Sequence, residues 1–393
     1  MFNKRNDRGI DFTIRRRVFT PTMVTLIVAA IILLPILFPS SGISSNQNTS
    51  LGWKPLKSGV LSRLSSIFFV DNQRGWIVGS LGTLMATEDG GEKWRKIALP
   101  ERQQRELIRD VWYLKPEGLP ERLCLMGEYG MLNQKGSYNP TLRSFVLINS
   151  WVEASWSDGT VARQPYRQPD TIRGRMAVAE SGKPQVKDPD DYQEYLRSPD
   201  PILLRLVFIN DHIGWACGES GSIQITKDGG TTWTLQYPLS RKLLNDISAV
   251  DEMHAWAVGA SGTVLRTEDG GKQWEEMRSG VTEALKSVHF VDRMRGWAVG
   301  ANGRIISTED GGHHWKIRQS KTTIPFNDVF FLNENEGWIA ADLGAILHTT
   351  DGGHTWEGES LDTHANLNRL FFTSPNCGWV VGTAGQLYKY GPM

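Results

Sequence analysis

AWAVGASGTVLRTEDGGKQW, residues 255–274, returns almost letter for letter as GWAVGANGRIISTEDGGHHW, residues 296–315. Trp256 and Trp297, near the start of these stretches, belong to a series with Trp215, Trp338 and Trp379, each 41 residues from the next. The string T-x-D-G-G-x-x-W keeps step with that series at Thr226–Trp233, Thr267–Trp274, Thr308–Trp315 and Thr349–Trp356. An earlier copy, Thr87–Trp94, accompanies Trp76. A fixed period of this length marks a tandem array of one supersecondary unit.

Each unit reads as four short strands. Around Trp256, "NDISAV" is apolar on alternate residues, "AWAVG" and "GTVLRT" follow as second and third strands, and "WEEMR" is the fourth. All are short, rich in β-branched and aromatic residues, and bounded by Gly or Asp turns. Four strands per period predict an all-β fold, a β-propeller. The Asp box is read as structural. Gly-Gly supplies the backbone angles of a tight hairpin. The carboxylate accepts turn N–H groups, and the Trp buries a large ring against its own blade. That assignment covers Asp89, Trp94, Asp228, Trp233, Asp269, Trp274, Asp310, Trp315, Asp351 and Trp356. A calcium role would need several clustered carboxylates, which the box lacks.

The ends suggest how the array closes. "WKPLKSG" at Trp53 matches the fourth strand "WEEMRSG", with no first three strands before it. The C-terminus stops at "GQLYKYGPM", a third strand with no fourth after it. The N-terminal strand is therefore expected to complete the last blade and protect its edge. Seven first strands, centred near Phe68, Val111, Val207, Ile247, Val288, Val329 and Leu370, predict seven blades. "RMAVAESG" at 175–182 leaves an eighth as the alternative. The propeller is placed at 52–393, with a polar, proline-containing insertion at about 134–200.

Ahead of it, residues 1–17 carry six basic side chains, Lys4, Arg5, Arg8, Arg15, Arg16 and Arg17, against Asp7 and Asp11. Val18–Phe38 follows without a charge. As a helix it would rise about 31 Å, enough to cross a hydrocarbon core. The basic flank predicts a cytoplasmic N-terminus and a propeller on the far side. "PSSGISS" is a poor cleavage site, so a retained transmembrane anchor at 18–38 and a linker at 39–51 are expected.

Composition narrows function. Charge balances, 43 basic against 43 acidic side chains, which disfavours general nucleic-acid binding. The three cysteines, Cys124, Cys217 and Cys377, show no metal-site spacing and read as small buried apolar side chains. His313, His314 and His354 occupy the variable positions of the box, and the adjacent pair diverges. No phosphate loop, dinucleotide fingerprint or nucleophile elbow occurs. No catalytic, cofactor or metal residue is assigned.

"GWAVG…GTVLRTEDGGKQW" resembles the repeat of the photosystem II stability/assembly factor family, across residues 52–133 and 201–393. The resemblance implies a propeller in the thylakoid lumen or periplasm, and a non-enzymatic scaffold that holds membrane-protein subunits or assembly intermediates. The box also occurs in sialidases and sorting receptors. The alternatives are therefore an envelope protein that binds or hydrolyses glycans, or a structural subunit of an envelope transporter. A sialidase's R-I-P stretch is absent, as is an evident tyrosine–glutamate pair. Finally, a base precedes or opens each first strand: Arg63, Arg109, Arg205, Lys242, Lys286, Lys321 and Arg369. First strands start on one face of a propeller. These seven are expected to form a positive docking face for acidic loops of a membrane partner.

Overall fold

The computed structural model describes residues 50–99, 103–115, 117, 121–127, 153–155, 160–162, 202–230, 233–236 and 240–393. Thr49–Met393 forms one compact unit. Its described residues hold six four-stranded antiparallel sheets. Blade 1 is Leu64–Phe69, Gly75–Gly79, Thr83–Thr87 and Arg95–Lys96; blade 2 is Leu203–Phe208, Gly214–Gly218, Ile223–Thr226 and Thr234–Gln236. Blades 3, 4 and 5 repeat the pattern from Leu244–Ala249, Leu285–Phe290 and Phe326–Phe331. Blade 6 joins Leu367–Ser374, Cys377–Gly382 and Leu387–Pro392 to Leu51–Pro55 from the other end of the chain. In that clasp Leu51 pairs with Pro392 and Trp53 with Tyr390, so the expected closure is present.

The blade count differs from the expected seven. The seventh position, between blades 1 and 2, holds a two-stranded hairpin, Ile108–Leu114 with Arg122–Gly127. Its first strand touches those of both neighbours, and each remaining first strand touches the next, so seven first strands close the ring. The sequence after Gly127 lacks the T-x-D-G-G-x-x-W box that pins the outer strands elsewhere. The insertion at about 134–200 contributes one described hairpin, Glu153–Ser155 with Thr160–Ala162. The eighth-blade alternative at 175–182 and the anchor at 18–38 lie outside the described residues. Among the described residues no helix is long and apolar enough to cross a membrane.

The Asp box works as a local lock. Thr308 donates its hydroxyl to the Asp310 carboxylate (2.8 Å) and accepts the Gly312 N–H; the same carboxylate accepts the His314 N–H. Gly311 and Gly312 have φ of +74° and +89°, a left-handed pair that glycine adopts without Cβ strain. Burial works to raise the Asp310 pKa. The hydrogen bonds from the His314 backbone and ring and from Thr308 outweigh it and hold the group at about 2.

The box also ties blade to blade. Trp297, on the second strand of blade 4, donates Nε1–H to Gly352 O in the box of blade 5 (2.9 Å). Its ring stacks on Phe331 of blade 5 at 3.6 Å, and Phe331 meets the box Trp356 edge-on at 5.8 Å. Trp256 makes the same clamp on Gly311, Phe290 and Trp315, and Trp379 on Gly90, Phe69 and Trp94. Blade 3 has Ala249 where the others have Phe, so Trp274 packs directly against Trp215. Trp297→Ala removes a buried ring and an inter-blade hydrogen bond together. It should lower unfolding free energy by about 3–5 kcal/mol, read as a shifted midpoint in urea denaturation.

Candidate functional site

Every first strand carries a register irregularity at the same place, between Leu64 and Ser66 in blade 1 and between Leu244 and Asp246 in blade 3. The irregularity re-aims the side chain that follows it. Across the ring those side chains are Ser66, Asp110, Arg205, Asp246, Ser287, Asp328 and Arg369. They form a circuit around the ring axis in which the serines and aspartates are buried and the arginine side chains are 11% (Arg205) and 20% (Arg369) exposed. Ser66 donates to Asp110 (2.6 Å). Arg205 donates to Asp246 (3.0 Å) and lies 3.9 Å from Asp110. Ser287 lies 2.7 Å from Asp246 and 2.9 Å from Asp328. Arg369 donates to Asp328 (3.0 Å).

The carboxylates also bridge backbones. One oxygen of Asp246 accepts the N–H of Ile247 in its own strand, and the other accepts that of Val288 in the next blade. Asp110 does the same for Val111 and Leu206. Asp328 accepts Leu370 N–H across the next gap, and Asn368 donates to Leu64 O to complete the circle. Burial pushes the Asp328 carboxyl up, against the pull of Arg369 and Arg205. Burial alone would lower the Arg205 pKa, but Asp246, Asp110 and Asp328 hold it above its ordinary value.

Two residues further along the same strands, half-buried aromatic side chains form a collar on the inner face of the ring. His289 stacks on Phe330 at 5.0 Å, and Phe371 lies 5.1 Å and Trp112 4.9 Å from Phe68. The Phe331 N–H donates to His289 Nδ1, so that nitrogen is the acceptor and the ring is neutral. Burial first, then the Arg369 charge, lower the His289 pKa to about 4.

The seven bases expected to make one docking face divide by depth. Arg205 and Arg369 turn inward and pair with the buried aspartates of the circuit. Arg109 and Lys286 are half-buried one register position away, and Lys286 reaches Asn327 Oδ1 at 2.7 Å. Arg63, Lys242 and Lys321 are exposed, with Lys242 paired to Glu276 at 3.0 Å. The acids that complete the circuit carried a signal the sequence reading passed over: single aspartates in the otherwise apolar strands "RDVWY", "NDISA" and "NDVFF". On the opposite face, a shallow cleft is lined by Asp71, Asn72, Arg74, Glu88, Phe371 and Thr373, with Asp71 and Arg74 paired at 2.9 Å. Cys124, Cys217 and Cys377 are buried free thiols, and no group of three or more metal-ligand side chains clusters among the described residues.

The family model described as "Photosynthesis system II assembly factor YCF48" matches residues 45–117 and 272–365. In sequence the chain is similar to that family over those residues, and in fold it is a β-propeller. It is 25% identical over 277 residues to the photosystem II assembly lipoprotein Ycf48 of Trichormus variabilis, covering 51% of this chain and 82% of that one. In fold it is similar to a solved structure titled "YCF48 bound to D1 peptide", at TM-score 0.61 and 20% identity over 88% of this chain and 96% of that one. It is equally similar in fold to virginiamycin B lyase from Staphylococcus aureus, at TM-score 0.60 and 11% identity over 88% of this chain and 100% of that one. The wheel alone therefore does not decide activity.

Arg205→Met strands the buried Asp246 carboxylate. It should cost about 3–5 kcal/mol in chemical denaturation, and Asp246→Asn in the same chain should recover part of the loss. His289 sets a pH dependence. Its folded pKa, about 4, lies below the ordinary 6.5, so the unfolded chain takes up the proton first. Its contribution is complete above about pH 6.5 and is lost as pH falls toward 4. Thermal melts across that window should show His289→Gln losing less stability than the parent.

Proposed function

We propose that the chain is a non-catalytic, membrane-tethered factor that holds protein segments of a photosystem II-type membrane complex during its assembly. The observation that carries this reading is that the polar groups of the inner ring are already spent on one another. The acids there are buried and hydrogen-bonded to neighbouring blades, and an aromatic collar rather than charged or nucleophilic groups follows them along the strands. Recognition then falls to the outer faces. The likeness to a YCF48 structure bound to a D1 peptide supports a polypeptide ligand from a membrane subunit.

The binding face in this reading is the end where first strands begin. Arg63, Lys242, Lys286 and Lys321 supply charge there, with Arg109 beside the hairpin. Arg205 and Arg369 act beneath it by holding the ring closed. Tethering falls to the apolar run Val18–Phe38, joined to the propeller by 39–51. The relative from Trichormus variabilis is named a lipoprotein; here residues 1–50 contain no cysteine to carry a thioether-linked lipid. With residues 1–17 cytoplasmic, the propeller would face the periplasm or thylakoid lumen.

The test uses overlapping synthetic peptides that tile the D1 polypeptide, captured on the immobilised protein. Charge reversal at Arg63, Lys242, Lys286 and Lys321 to Glu should reduce capture of acidic peptides by at least about tenfold at unchanged melting temperature. Undiminished capture by that variant would overturn the binding face. Turnover of a glycan by the purified chain would overturn the non-catalytic reading.

A further inference from the structure

The turns between second and third strands end in one conformation throughout. Leu81, Ser220, Ser261, Asn302, Leu343 and Ala384 all have φ between +53° and +58°. All six are exposed. In this left-handed region Asn and Gly are favoured and leucine is strained. Yet Leu81 is 67% and Leu343 54% exposed, so the apolar side chains gain no burial in return. Folding alone does not call for leucine at either place.

The six positions are also sorted around the wheel. Ser220, Ser261 and Asn302 stand on blades 2, 3 and 4; Leu343, Ala384 and Leu81 stand on the consecutive blades 5, 6 and 1. Leu61, 90% exposed, sits in the connection from blade 6 to blade 1. Hydrogen bonds weld these pieces into one rim. Gly344 N–H donates to Ala365 O, Thr383 N–H to Asn366 O, Gly385 N–H to Ser62 O and Ser80 N–H to Arg63 O. Elsewhere on this face Leu243 is exposed to only 37%. Bases border the arc: Ser58, next to Lys57, donates to Gly385 O, and Glu106 O, next to Arg105, accepts the Gly82 N–H. Lys57, Arg63 and Arg105 are exposed and make no ion pair among the described residues.

We propose that the apolar arc Leu343–Ala384–Leu61–Leu81, with Lys57, Arg63 and Arg105 at its edge, docks an amphipathic protein segment bearing both leucine-like side chains and carboxylates. The inference rests on the assembly-factor reading and gives the chemistry of its ligand. The unpaired bases call for acidic groups, and the projecting leucines call for apolar side chains beside them. A lipid surface fits less well. Membrane-interface anchoring draws on Trp and Tyr, and the large apolar residues exposed here include no aromatic side chain among the described residues.

The D1 peptide series tests this with a second variant, Leu61→Ser/Leu81→Asn/Leu343→Asn, whose asparagines suit the left-handed turns. Its melting temperature should hold or rise, so lost binding is not lost folding. Capture of peptides that combine leucines with carboxylates should fall by at least about tenfold, while capture of acidic peptides without apolar residues changes little. If this variant captures every peptide as the parent does, while the four-site charge reversal abolishes capture, the arc is not the docking surface and the assembly-factor reading survives. If the parent captures no peptide, that reading itself fails. Flotation with phosphatidylglycerol vesicles that is lost in the leucine variant would reassign the arc to lipid.

Discussion

A wheel of sheets has no covalent hub, so each first strand must be bonded to the next through side chains. Here a buried carboxylate does this at three of the seven gaps. Set just past an irregularity in the strand register, Asp110, Asp246 and Asp328 each accept an N–H from the following blade. Serine, arginine and asparagine complete the remaining gaps. A buried carboxylate is costly unless every lone pair is used. The circuit meets that condition only when the ring is closed and its two arginines are in place. Closure and charge satisfaction are thus one event.

Further from the axis the same task is performed by rings. The second-strand tryptophan of one blade lies against the Phe of the next, which in turn meets the box tryptophan edge-on. The box glycines need their left-handed angles, and one of them also needs its missing Cβ. A Cβ at Gly353 would stand 3.1 Å from Trp297 Nε1. The turn motif is therefore both a hairpin lock and a socket for the neighbouring blade. That explains why T-x-D-G-G-x-x-W keeps the same phase as the second-strand tryptophan over 41 residues.

This coupling also explains what could be read from the chain alone. Period, strand order, box chemistry and the clasp through Trp53 are all local patterns, and each left its mark in the letters. The acid circuit was harder to see because its partners, such as Arg205 and Asp246, sit a full repeat apart and meet only in the closed ring. Grouping Arg205 and Arg369 with the surface bases followed from counting sign without depth. The blade count departs from seven where repeat identity fades: at 108–127 the described residues give a first and second strand only, and no box follows in the sequence.

Function is best sought where a repeat departs from its siblings, because repetition is what the fold requires and departure is what it merely permits. The box, the clamp and the circuit recur because the wheel fails without them. The exposed leucines do not recur. They stand on blade 5, on blade 1 and in the connection from blade 6 to blade 1, on either side of the blade in which Leu51–Pro55 pairs with Leu387–Pro392. At blade 6, which has no box, Trp338 stacks on Phe372 and Phe372 meets Trp53 of the clasp strand edge-on, so the clasp supplies the ring that a box supplies elsewhere. A ligand touching both Ala384 and Leu61 would span the non-covalent pairing of Leu387–Pro392 with Leu51–Pro55, and its binding would add to the stability of the closed ring. The partner and the wheel would then stabilise one another.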